Sequence, residues 1–182
     1  MNNFSTALSI KDAFSAAVIT ALLLLVPLIA MQFTSQVDWN RADFIVAGFL
    51  LFVSVMTYNV VASKAGDVAY RAASGIAISA SLLLIWMNLA VGLIGSEDNP
   101  ANLMYLGELF VGIVIAIRAR FKPLGMAVAV IATAGMQSLI MLLALIFVLD
   151  DASSGSVEIL LVNSFYIALY SASGWLYWRA AQ

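Results

Sequence analysis

Six long apolar stretches, separated by short loops that are alternately basic and acidic, constrain this chain more than any other feature. A helix needs about 20 mostly apolar residues to cross a hydrocarbon core of about 30 Å. Inside such a core every backbone N–H and C=O must find a partner within the protein, which a helix provides locally. The stretches lie at about 13–33, 43–62, 71–95, 101–118, 123–149 and 157–178 of the 182 residues. They leave no room for a soluble domain. The expected fold class is therefore all-α: a polytopic transmembrane helical bundle of six spans forming one integral membrane domain over residues 1–182.

Composition agrees with that solvent. Hydrophobic residues make up 64% of the chain and charged residues 10%, against about half and about a quarter in an ordinary soluble domain. Mean hydropathy is +1.04. Lys11 followed by the apolar run from Ala16 to Ala30 has the outline of a secretory signal. No small-x-small cleavage site follows it, so it reads as a retained first span.

Charge then fixes an expected orientation. Lys11, Lys64, Arg71, Arg118, Arg120, Lys122 and Arg179 fall on one side of the six spans, and only Arg41 falls on the other. The positive-inside bias places both termini in the cytoplasm. The opposite loops carry Asp38, Asp43, Glu97, Asp98, Asp150, Asp151 and Glu158. Trp39 and Tyr105 near the outer edge, and Trp175, Tyr177 and Trp178 near the inner edge, match the aromatic belts of membrane helices. Pro27, inside the first span, removes a backbone hydrogen bond and is expected to kink that helix. Pro100 and Pro123 stand where helices begin, a position proline tolerates, with Asn99 as the cap before Pro100. The three hairpins share one layout, which any six-span chain with short loops and this charge bias would also have.

Several chemistries drop out at once. The chain has no cysteine and no histidine, which excludes disulfides, thiolate nucleophiles, thiolate or imidazole zinc sites, His-ligated haem and Ser-His catalysis. An enzyme is not expected, and neither is a cofactor or a metal. The net charge of −2, with basic residues scattered at helix ends, speaks against nucleic acid. The expected partners are the lipid bilayer and a second copy of the chain or a larger membrane complex, joined through small-residue helix faces.

Glu108 is the one ionisable residue well inside an expected span, about 10 Å from the outer end of the fourth helix. An acid at that depth normally faces the protein interior, where it takes up a proton or a cation, bonds to a neighbouring helix, or snorkels toward the headgroups. Tyr105, Glu108 and Gly112 share its helix face. Two further polar stripes follow helical spacing: Ser74, Ala77, Ser81, Asn88 and Gly92 on the third helix, and Asn163, Tyr166, Tyr170, Ser173 and Tyr177 on the sixth. Converging on Glu108, they would line a polar pathway, with Glu108, Tyr105, Asn88, Ser81, Asn163, Tyr166 and Tyr170 as its candidate residues. Small and weakly polar side chains also join membrane helices, and the packing reading is the stronger prior for these stripes. Gly125, Ala129, Thr133 and Gln137 on the fifth helix read as close packing that ends in an amide needing a partner. Ser54, Thr57, Tyr58 and Asn59 form a polar group near the cytoplasmic end of the second helix. The oxygen-rich turn from Gly95 to Asn102 lacks the ligand spacing of a calcium loop and reads as a solvated cap.

Three strings carry a resemblance: Asp43-Phe44-Ile45-Val46-Ala47-Gly48; Glu97-Asp98-Asn99-Pro100-Ala101-Asn102-Leu103-Met104-Tyr105; and Arg118-Ala119-Arg120-Phe121 followed by Pro123 and Gly125-Met126-Ala127. Over roughly residues 27–137 the chain resembles a group of small polytopic bacterial inner-membrane proteins of unassigned activity. The resemblance implies a bacterial inner membrane and six spans. That group is expected to carry an apolar residue where this chain has Glu108, so it implies no family-wide proton site. The resemblance supplies no activity, and the residues leave two function classes open: a small transporter or channel for a small solute or ion with an intramembrane carboxylate, and a non-catalytic accessory or scaffold subunit of a membrane complex.

Overall fold

A computed structural model describes residues 9–63, 66–96, 98–148 and 155–182, the side chains of 147 and 148 excepted. Lys64, Glu97, Asp150 and Asp151 of the charge pattern lie outside the described residues. Among those described there is no strand. The chain forms α1 (Ile10–Phe33), α2 (Arg41–Ala62), α3 (Val68–Ala90), a 3-10 turn (Pro100–Asn102), α4 (Leu103–Arg118), α5 (Pro123–Val148) and α6 (Ser156–Arg179). All six helices, α4 taken with its 3-10 turn, are long and apolar enough to cross a membrane.

Local chemistry sets most of the boundaries. Ser9 caps α1 and Asn40 caps α2 in reciprocal boxes with Asp12 and Asp43, satisfying amides that the first helical turn leaves unpaired. Asn99 accepts from the Ala101 amide ahead of Pro100, and α5 begins on Pro123. α1 runs through Pro27 as one helix. One boundary differs from expectation: α3 ends at Ala90 instead of continuing to 95. Gly92 adopts φ 70°, and a Cβ there would meet the Ser96 carbonyl. The Asn102 side chain then captures the Leu93 and Ile94 amides at 3.0 and 2.9 Å and donates to the Ser96 carbonyl at 2.8 Å. One buried amide thus replaces the last turn of a helix.

The chain divides into two compact units, residues 1–64 and 65–182. In the first, α1 and α2 pair as a hairpin, with Ala16, Thr20 and Ala47 buried and Gly48 letting Leu24 approach. The polar group expected on α2 contributes here through Asn59, whose amide donates to the Asp12 carbonyl and to Ser15 Oγ.

In the second unit α6 packs on both α3 and α5, α5 also packs on α4, and α3 approaches α4 more sparsely. Its interior is apolar with polar side chains set into it, and its outer surface carries many large apolar side chains. Ser74, Asn88, Asn102, Glu108, Thr133, Gln137, Asn163 and Ser173 are buried, while Phe110, Ile113, Leu142, Leu161 and Trp175 face outward. Gly112 and Gly174 permit the close approaches: a Cβ on Gly112 would strike Thr133, and one on Gly174 would strike Ile131 at 2.6–2.7 Å. The turn between α4 and α5 holds Arg120 and Phe121 at φ 53° and 57°. Left-handed backbone costs roughly 1–2 kcal/mol per non-glycine residue. The Tyr70 hydroxyl, donating to the Phe121 carbonyl at 2.7 Å, helps hold it.

Candidate functional site

The helices of the second unit bring four polar side chains into one buried cluster: Tyr105 and Glu108 from α4, Gln137 from α5 and Asn163 from α6. Each of the four has 0% exposure, so Glu108 does not snorkel. Tyr105 and Glu108 sit three residues apart and therefore on one face of α4. The Gly112 contact brings that face against α5. Small residues along α5, Ala129 and Thr133, continue the close approach up to Gln137.

The hydrogen bonds form a directed chain. Asn163 Nδ2 donates to the Ile159 carbonyl one turn back on its own helix, at 2.8 Å. Asn163 Oδ1 accepts from Gln137 Nε2 at 2.8 Å and from the Tyr105 hydroxyl at 3.1 Å. The far end of the Gln137 amide contacts the Glu108 carboxyl, at Oε1 and at 3.0 Å from Oε2. Tyr105 and Tyr170 lie within electrostatic reach of Glu108, and Tyr166 within reach of Tyr170.

The remaining candidates divide. Ser81 bonds across helices to the Tyr170 hydroxyl at 3.2 Å while donating to the Ala77 carbonyl at 2.9 Å. This places Ser81 and Tyr170 beside the cluster. Tyr166 is fully buried, and its hydroxyl has no hydrogen-bond partner among the described residues. Asn88 departs from the expected pathway: its amide donates to the Asn102 carbonyl at 3.0 Å, which ties α3 to the loop ahead of α4. Its Oδ1 is buried without a partner among the described residues.

The stripes on α3 and α6 do face each other. Ser74 meets the Tyr177 hydroxyl at 2.8 Å, Ser173 donates to the Ala73 carbonyl at 2.9 Å, and the Tyr70 and Tyr177 rings pack edge to face at 4.9 Å. Much of what reads as a pathway is therefore helix-joining polar contact. Gln137 is the member of the cluster that sequence reasoning placed with packing. Its signal was the lone amide at the end of a small-residue stripe. In the 95–102 turn, Asn99 and Asn102 spend their side-chain oxygens on backbone amides, which suits a cap.

No protein-family model matches this chain, and neither does any curated protein or solved structure.

Proposed function

We propose that the chain is a multi-pass protein of the bacterial inner membrane, with both termini cytoplasmic, that passes a small solute or ion along a route contacting Glu108. The observation that carries this reading is the complete burial of Glu108 at the junction of α4, α5 and α6. An interior carboxyl is costly to retain in an apolar bundle, and those that persist in membrane helices normally belong to ion or substrate paths. The fully buried phenols Tyr105, Tyr166 and Tyr170 supply hydroxyls along the same helices, and Tyr166 has one to spare. The large apolar side chains on the outer surface and the six apolar helices support the membrane setting. Reconstituted into sealed vesicles and screened against a panel of imposed ion and solute gradients, the protein is expected to raise permeability to at least one of them. Permeability equal to that of protein-free vesicles across the panel would remove the reading.

A second reading is favoured by the tight seating of Gly112 on Thr133 and of Gly174 on Ile131. Such contacts suit a rigid, non-transporting accessory subunit. It predicts co-purification with a larger membrane complex, and a monodisperse particle free of partners would count against it.

A further inference from the structure

We propose that Glu108 holds a proton, that this proton closes the Gln137–Asn163 hydrogen-bond chain, and that its removal reverses both amides, making the cluster a proton-binding site coupled to helix packing.

The Ile159 carbonyl belongs to the α6 backbone and only accepts. Asn163 must therefore present Nδ2 to it, which points Oδ1 at Gln137 and Tyr105. Gln137 in turn must present Nε2 to Asn163, which leaves its oxygen against the Glu108 carboxyl. Two acceptors in contact repel unless a hydrogen lies between them. One proton on Glu108 supplies it, and the chain from carboxyl to backbone is then satisfied without a reversed dipole.

An ionised Glu108 cannot be accommodated in the same way. Gln137 could turn to donate to both carboxylate oxygens, but its own oxygen would then meet Asn163 Oδ1 at 2.8 Å. Turning Asn163 as well would set its oxygen 2.8 Å from the Ile159 carbonyl. The conflict moves along the chain and ends between Asn163 and a carbonyl of its own helix, where relief requires the Asn163 side chain to swing away from the α6 backbone and so changes how α6 meets α5 at Gln137. A metal ion between the two groups would hold its oxygen ligands at about 2.0–2.6 Å and spread them beyond direct contact, whereas an O–H···O bond spans about 2.5–3.0 Å. The ion that fits is a proton.

No competing charge faces the carboxyl among the described residues. From α5 it touches the neutral Gln137 amide, it interacts with the Tyr105 phenol of α4 and the Tyr170 phenol of α6, and Ser81 of α3 and Tyr166 of α6 stand behind Tyr170. Arg71, Arg118, Arg120, Lys122 and Arg179 stand at helix ends or in turns. In the alkaline direction the Glu108 O–H bond breaks, the proton passes to hydroxide to form water, and the negative charge stays on the carboxylate.

As the identity of the ion at the proposed route, this inference rests on the transport reading, but its test needs no flux. The chain has three glutamates, Glu97, Glu108 and Glu158, and Glu158 is exposed at the start of α6. Infrared spectra of the full chain in lipid vesicles, with carboxyl-labelled glutamate, should show a protonated-carboxyl stretch near neutral pH that shifts in heavy water and is absent from Glu108→Gln. Raising the pH should abolish it reversibly, with a simultaneous change in the side-chain bands of labelled glutamine and asparagine. That amide change should be missing in Glu108→Gln. An ionised-carboxylate signal for all three glutamates near neutral pH would overturn the proposal, as would a carboxyl transition with no accompanying amide change. The unsubstituted protein yields both decisive signals, so a poorly folding variant does not block the test. A protonated, amide-coupled Glu108 in a protein that moves nothing would uphold this inference and remove the transport reading.

Discussion

Asn163 is the side chain on which the buried cluster turns, since it bonds to Gln137, Tyr105 and the Ile159 carbonyl together. Replacing it with leucine leaves a buried amide and a buried phenol without an acceptor. Asn163→Leu is expected to lower unfolding free energy by about 1–2 kcal/mol, measured by denaturant titration in bicelles. Glu108→Gln should change stability by less than about 1 kcal/mol, because the amide introduced there can still donate to Gln137. Glu108→Leu, which offers no donor, should be the more damaging of the two. Equal losses from both variants would mean that the donor at this position contributes nothing. Glu108, Tyr105 and Asn163 were legible in the sequence because polar residues in apolar spans are rare and conspicuous. The part played by Gln137 was not, since whether a lone amide meets a carboxyl or a backbone carbonyl depends on the rotation of α5 about its axis. Asn88 misled for the same reason: its spacing matched the α3 stripe, yet its partner is a loop carbonyl at 3.0 Å.

Helix pairing in the second unit depends on small residues at points of closest approach, and here the effect of substitution follows from volume. A leucine at Gly112 would be driven into Thr133 and would push α4 away from α5. Gly112→Leu is expected to cost about 2 kcal/mol, within the range for overpacked interiors. The same substitution at Gly107, where an added Cβ meets nothing within 4 Å, should be nearly neutral. At the α4–α5 turn, Tyr70→Phe removes the donor to the Phe121 carbonyl and should cost about 1 kcal/mol by the same titration. The helices themselves were readable to within a few residues, because apolar length, caps and prolines are local signals. The end of α3 was not: Val91, Leu93 and Ile94 prolong the apolar run, and the contact that ends the helix comes from Asn102, beyond the turn that follows.

For the whole molecule, the charge pattern predicts a definite topology. The absence of cysteine makes single-cysteine labelling direct. Lys122→Cys should react with a membrane-impermeant reagent only from the cytoplasmic side, and Asp38→Cys only from the opposite side. Labelling of both from one side would contradict the six-span, positive-inside arrangement. Flux across sealed vesicles as a function of pH decides whether the buried Glu108 cluster is where this protein does its work. Flux in the unsubstituted protein should change through one transition as Glu108 loses its proton, and flux in Glu108→Gln should be diminished and independent of pH. Identical flux and identical pH dependence in the two proteins would contradict that role.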